Sequence, residues 1–364
     1  MLIQSIEQAR KINPDRNTNP AQNLEEYYDF ITWAEKALPW NVLPNLKIST
    51  MYEQIDQCLC YFYFINDQPL REINDQSLYN NSLQYMEPYT SWMVEFNKTL
   101  GAFLDTEESW KEEYYHLLYD DKRFGLNKDW YEHPSNWKTF NQFFSRYLKS
   151  PDKRPISEAE NDSVIVSPAD AVPQGVWEID ENGYIIQQNE TIFIKSAKLN
   201  SIESLIGEGS AYQTAFKKGI FTHAYLGVSD YHRYHFPISG IVREIRIIPA
   251  QCAAGCYITW DAQQQKYVYD ASIPGWQSVE TRACVIVENE HLGLVALLPV
   301  GMSQVCSVNF EKEIQVGHSF KKGDMLGYFL FGGSDFILIF QEGVKFELTS
   351  TEHLLMGEEY GRIR

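Results

Sequence analysis

The chain has 364 residues, room for two domains at about 150 residues each, and its 44% hydrophobic and 22% charged residues make an ordinary globular mixture, not a disordered or fibrous one. Its 31 basic and 49 acidic residues leave a formal net charge of -18. That field disfavours nucleic acid, whose binding needs cationic surface to displace phosphate counterions, and it opposes long-range attraction to an anionic membrane.

The opening MLIQSIEQAR lacks the apolar run of a secretory signal. No stretch approaches the ~20 apolar residues of a membrane-spanning helix; Leu292–Val300 and Phe336–Phe340 are strand-sized. A cytoplasmic chain with no integral membrane segment is the expectation. Cys58, Cys60, Cys252, Cys256, Cys284 and Cys306 are too few for a disulfide framework in so long a chain and lack a companion His pair at finger spacing. They read as reduced, buried thiols, with no metal site.

From Leu24, the apolar positions Tyr27, Tyr28, Ile31, Ala34 and Leu38 recur at helical steps until Pro39. Leu100–Tyr119 repeats the pattern through Phe103, Trp110, Tyr114, Leu117 and Leu118. The dense aromatic residues of this front part read as helix–helix packing. Lys149–Ile165, rich in Pro, Ser and acid, reads as a linker. Short β-branched and aromatic runs follow at Tyr184–Ile185, Ile192–Ile194, Ile241–Ile248, Tyr267–Tyr269, Cys284–Glu288 and Val295–Leu298. Ile202–Gly207 reads as a helical turn and Lys321–Asp324 as a hairpin turn. Phe336–Phe340 reads as a strand buried on both faces, and Val344, Phe346 and Leu348 as a half-buried one. The fold class is α+β, a helical unit over residues 1–135 followed by a β-rich unit over 136–364.

Three segments carry chemistry: VSPADAVPQG with Asp170, YHRYHFPISG with His232 and His235, and FGGSDF with Gly332, Gly333 and Ser334. Taken singly, an Asp after Ser-Pro is a turn-former, paired histidines serve many structural ends, and Gly-Gly-Ser is a loop. Together, Asp, His and Ser are the parts of a relay that orients an imidazole and activates a hydroxyl. A metal hydrolase built on His232 and His235 is disfavoured, because three-residue spacing in a strand sends side chains to opposite faces.

These segments resemble the phosphatidylserine decarboxylase family. WKTFNQFFSRYLKSPDKRPI (137–156), SPAD (167–170), YHRYHFPISG (231–240), ENEHLGLVALLPVGM (288–302) and GHSFKKGDMLGYFLFGGS (317–334) match its motifs in order. SWMVEFNKTLGAFLDTEESW, ahead of them, is similar to the helical extension of soluble relatives that decarboxylate free aromatic amino acids, tryptophan among them. The resemblance implies that Asp170 holds His235, that His235 deprotonates Ser334, and that Ser334 attacks the carbonyl of Gly333. Cleavage between 333 and 334 then leaves a pyruvoyl group, derived from Ser334, at the start of a small fragment that stays bound to the large one. Gly332 and Gly333 permit the strained backbone such a shift needs. The implied chemistry is a Schiff base between the pyruvoyl ketone and the amine of a small carboxylate substrate, with His232 reprotonating the product. The expected substrate is a free L-amino acid, aromatic ones such as tryptophan included. The alternatives are phosphatidylserine, in phospholipid synthesis, and an unprocessed, non-enzymatic binding module. Homo-oligomerisation is left open. Two positions depart from the family pattern: Ala171 stands where Gly is usual, and Asp335 where Thr or Ser is usual.

Overall fold

The computed structural model describes all residues except 42, 44–49, 74–80, 187–200, 256, 271, 273 and 305. Ile192–Ile194, expected as a strand, and Cys256 lie outside the described residues.

The front of the chain is helical: α1 (Leu2–Ile12), α2 (Leu24–Ala34), α3 (Met51–Phe64), α4 (Tyr89–Leu104), α5 (Glu112–Asp120) and the short α6 (Phe140–Phe144). Side-chain caps explain several starts. Asn23, Thr50 and Thr139 accept from the backbone N–H three residues on, at 3.0, 3.4 and 3.2 Å. The single helix expected over Leu100–Tyr119 is two, α4 and α5. The Ser109 hydroxyl donates to the carbonyls of Leu104 and Thr106 and takes up helix-end acceptors there. The same hydroxyl accepts from Phe140 N–H at 2.9 Å and so ties the break to α6.

After α6 come β1 (Val164–Val166), β2 (Val172–Glu178), helix α7 (Ile202–Ile206), β3 (Ile220–Leu226), β4 (Arg233–His235), β5 (Gly240–Ile248), β6 (Tyr257–Asp261), β7 (Lys266–Asp270), β8 (Thr281–Asn289) and β9 (Gly293–Met302). The rest of the chain adds β10 (Asn309–Phe310), β11 (Ser319–Phe320), β12 (Met325–Tyr328), β13 (Gly333–Phe340), β14 (Phe346–Leu348) and β15 (Glu359–Ile363). An antiparallel sheet in the order β11-β5-β8-β9-β13-β3-β2 dominates, and the small sheet β10-β12-β4 packs beside it. The α+β class holds.

All eight residues of β13 are buried between β3 and β9. Its Ile337 and Ile339 enter a core shared with Phe62, Tyr63, Phe64 and Phe96 of the front helices. Phe336, Leu338 and Phe340 enter a second core with Tyr234, Phe236 and Leu326. Each such side chain contributes roughly 1.5–3 kcal/mol by leaving water. Together with two ladders of hydrogen bonds, this burial fixes β13 in the centre of the sheet.

Two expectations need correction. The Lys321–Asp324 turn forms, but its flanking strands belong to different sheets: β11 pairs with β5 and β12 with β4 and β10. The passage 149–165 is packed rather than free, because Arg154 is buried and ion-paired and Val164–Ile165 belong to β1.

Candidate active site

Ser334 sits at the second position of β13, opposite Leu226 of β3 and Gly301 of β9. It is fully buried, and its Oγ has no hydrogen-bond partner among the described residues. A buried hydroxyl left unpaired costs about 1–3 kcal/mol. The backbone ahead of it is confined. Gly332 has φ +150°, and a Cβ there would lie 2.6 Å from the carbonyl oxygen of Ser303 and 2.8 Å from that of Met302. Only glycine fits this close approach, and the Ser303–Gln304 turn beneath it has positive φ itself.

His232 precedes β4. Its Nδ1 lies 2.9 Å from the Asp230 carbonyl, which can only accept, so Nδ1 carries the proton and Nε2 presents a lone pair. Nε2 is buried with no hydrogen-bond partner among the described residues. The imidazole stacks on Phe144 at 3.8 Å, and Phe144 meets Phe331 edge-on at 5.3 Å, three residues before Ser334. Strand alternation puts His232 on the side of Tyr234, and Ser334 on the side of Phe336. The rings of Tyr234 and Phe336 are 5.6 Å apart, so these two faces meet. Burial holds the His232 imidazole well below its usual pKa, and the buried Arg146 guanidinium adds to the effect. Arg146 also donates to the Asp230 carbonyl at 3.0 Å.

His235 lies on the other face of β4. Its Nδ1 donates to the Gly323 carbonyl at 2.8 Å, and its Nε2 meets the Tyr231 hydroxyl at 3.1 Å. The Lys321–Asp324 turn therefore fixes the tautomer of this histidine. Burial pushes its pKa down to about 4, so it stands neutral at pH 7. Between an unfolded value near 6.5 and about 4, the unfolded chain binds a proton that the folded chain refuses. Stability tied to His235 is thus complete above pH 6.5 and is lost as pH falls towards 4. Unfolding in urea at pH 7 and 4.5 is expected to show an acid loss about 2 kcal/mol smaller in His235→Gln than in the parent; equal losses would contradict the assignment.

Asp170 does not hydrogen-bond His235. Both its oxygens accept from Arg154, at 3.0 and 2.6 Å, and Met356 N–H adds a bond of 2.8 Å. Arg154 lies over Trp130, 4.2 Å from the ring centroid, a contact that helps to aim it at the carboxylate. Asp170 acts on His235 through space, favouring its charged form, while His235 N–H bonds the Pro168 carbonyl two residues before Asp170. Asp170 also lines a cleft of about 700 Å³, in which Lys122, Arg123 and Lys128 stand with the carboxylates of Asp230 and Glu358. Ala171, the departure from the family's Gly, makes a reciprocal pair of 2.9 Å backbone bonds with Leu354, and its methyl is accommodated.

Asp335 is turned away from Ser334. It lies on the opposite face of β13, where its Oδ2 is 2.8 Å from His223 Nδ1. Interference with ionisation near Ser334, which a carboxylate at this position invites, is therefore not built into the geometry.

Sequence reading missed the partners: Arg154 on Asp170, Tyr231 on His235, Arg146 and Asp230 on His232. Their signal was present, since Arg146 and Arg154 belong to the quoted FFSR and KRPI, but only the fold shows what each one meets.

The family model for phosphatidylserine decarboxylase matches residues 140–362. The chain belongs to the phosphatidylserine decarboxylase family. Members are pyruvoyl-dependent carboxy-lyases made as proenzymes, with the cofactor formed from a serine of their own chain. Relatives include phosphatidylserine decarboxylase proenzyme 2 of Oryza sativa subsp. japonica, 33% identical over 60% of this chain and 32% of its own length. The phosphatidylserine decarboxylase proenzyme of Vibrio vulnificus is 28% identical over 66% of this chain and 84% of its own. That of Francisella tularensis is 32% identical over 60% and 75%. These names favour the lipid alternative over the free amino acid put first by the sequence analysis. Among the described residues, no helix is long and apolar enough to cross a membrane.

The site fits a group made from Ser334: an orphaned buried hydroxyl follows two glycines, one of which no larger residue can replace.

Proposed function

We propose that this chain cuts itself between Gly333 and Ser334 and decarboxylates phosphatidylserine to phosphatidylethanolamine. The observation that carries the reading is the buried, unpartnered Ser334 Oγ at the head of β13. In this proposal Asp170 and His235 form the self-processing relay. The neutral His235, held on the other face of β4 by the Gly323 carbonyl and the Tyr231 hydroxyl, must turn towards β13 to accept the Ser334 proton, after which Ser334 Oγ adds to the Gly333 carbonyl. Gly332 and Gly333 supply the backbone freedom. The pyruvoyl group so derived supplies an electron-withdrawing carbonyl for the loss of carbon dioxide.

His232 serves the decarboxylation. At rest it is neutral with a free Nε2, hence a proton acceptor. It takes a proton from the substrate ammonium and returns it at Cα after carbon dioxide leaves. The division into a helical unit, 1–135, and a decarboxylase unit, 136–364, belongs to this proposal, as do bound fragments and a cytoplasmic location.

A second reading, a free amino acid as substrate, is favoured by one feature. The front helices cover the approach to the cleavage segment, with Ala34, Cys58, Phe62 and Leu100 closing a crevice of about 20 Å³ against Phe331 and Gln304. Carbon dioxide release from phosphatidylserine in mixed micelles, run beside a panel of free amino acids, tests the two. Turnover of the lipid is the expected result; turnover of amino acids alone would overturn it.

A further inference from the structure

Asp335, one residue beyond Ser334, meets His223 in the most deeply buried carboxylate–imidazole contact among the described residues. Asp335 and His223 have fully buried side chains, 2.8 Å apart. Gln277 Nε2 donates to the same Asp335 oxygen at 3.3 Å, while its own Oε1 accepts from Gly275 N–H at 2.8 Å. His223 is braced on its other side by the Ser272 carbonyl, 3.3 Å from Nε2, and stacks on Trp177 at 5.3 Å. The register explains the meeting: Asp335 is opposite Tyr225 on β3, and His223, two residues along, shares its face as a diagonal neighbour.

Burying polar side chains costs free energy that only their mutual hydrogen bonds offset, and the surroundings here are apolar: Phe221, Ile337 and Trp276 belong to the same core. A structural need for bulk does not explain it. Its place in the chain does. Once the bond between 333 and 334 is cut, the small fragment begins one residue before Asp335, and chain ends fray unless tied down. The amide that carries the cofactor is the N–H of Asp335 itself, and Asp335 is the first residue of the fragment with a side chain able to grip the large fragment.

We infer that Asp335, His223 and Gln277 form a positioning clamp that holds the new chain start in register after self-cleavage. The clamp grips β13 from the face opposite Ser334, at the residue whose N–H is the cofactor's amide. The inference rests on cleavage before Ser334.

The experiment compares the parent with Asp335→Ala, Asp335→Asn and His223→Gln, each followed by intact mass, hydrogen exchange of the amides at 335–337, and kcat and KM on phosphatidylserine in mixed micelles. Asp335→Ala and His223→Gln are expected to cleave, to exchange those amides about tenfold faster, and to lose about tenfold in kcat with KM within about twofold. Asp335→Asn, which keeps an acceptor, is expected to recover most of the protection. His223→Gln keeps the inference testable if Asp335→Ala does not fold. Parent-like exchange and kcat in the cleaved variants would overturn the clamp, as would lowered global stability with kcat per cleaved chain unchanged. A parent that never cleaves would overturn the reading of Ser334, and the clamp with it.

Discussion

Ser334→Ala is expected to remain a single uncut chain with no reactive ketone and no decarboxylation, while folding as the parent does. The reason is local. The hydroxyl makes no hydrogen bond among the described residues, so removing it leaves no partner stranded, and the missing atom is small enough to spare the β13 ladders. A change that abolishes processing and turnover without a stability penalty separates chemistry from packing. Denaturing electrophoresis, a carbonyl reagent and urea unfolding measure the three together. Cleavage of Ser334→Ala at the same bond would show that another residue supplies the cofactor.

The second large effect concerns Arg154. Removing its guanidinium in Arg154→Ala leaves the Asp170 carboxylate, 2% exposed, with the Met356 N–H as its one remaining hydrogen-bond donor among the described residues. Breaking one side of a buried pair costs about 3–5 kcal/mol, and stacking on Trp130 is lost as well. Urea unfolding of the uncut Ser334→Ala background should show a loss of this size for Arg154→Ala. Adding Asp170→Asn should return a good part of it, since an amide tolerates burial better than an unpaired charge. The pair also joins three separate segments, 149–156, 167–171 and the loop at Met356, so processing should slow in the same variants. A loss below about 1 kcal/mol would mean that solvent reaches Asp170 and that Arg154 is not its counter-ion.

Much of the architecture was legible because the signals were local. The apolar run Phe336–Phe340 is a central strand, and Ile202–Gly207 a capped helical turn, because periodicity and punctuation speak for single elements. The Leu100–Tyr119 pattern misled because the spacing ignores what Ser109 does with its hydroxyl. The Lys321–Asp324 turn was visible, but which sheet each flanking strand joins depends on partners eighty residues away. The site divides in the same way. Asp170, His232, His235 and Ser334 were nameable from motif order, whereas the tautomers of both histidines are set by carbonyls at Asp230 and Gly323, groups that every residue carries and no sequence marks. Asp335 drew notice as a departure from pattern; that it faces away from Ser334 follows from strand alternation, but its pairing with His223 needed the register.

The central claim is that a buried hydroxyl at position 334 severs the chain ahead of itself and becomes the cofactor. Intact mass of the purified parent tests it most directly. The account predicts two species, residues 1–333 ending in a free carboxyl group and residues 334–364 lighter by one ammonia than a peptide beginning with intact serine. A single species of full-length mass after prolonged incubation, or a small fragment that still begins with serine, would contradict it.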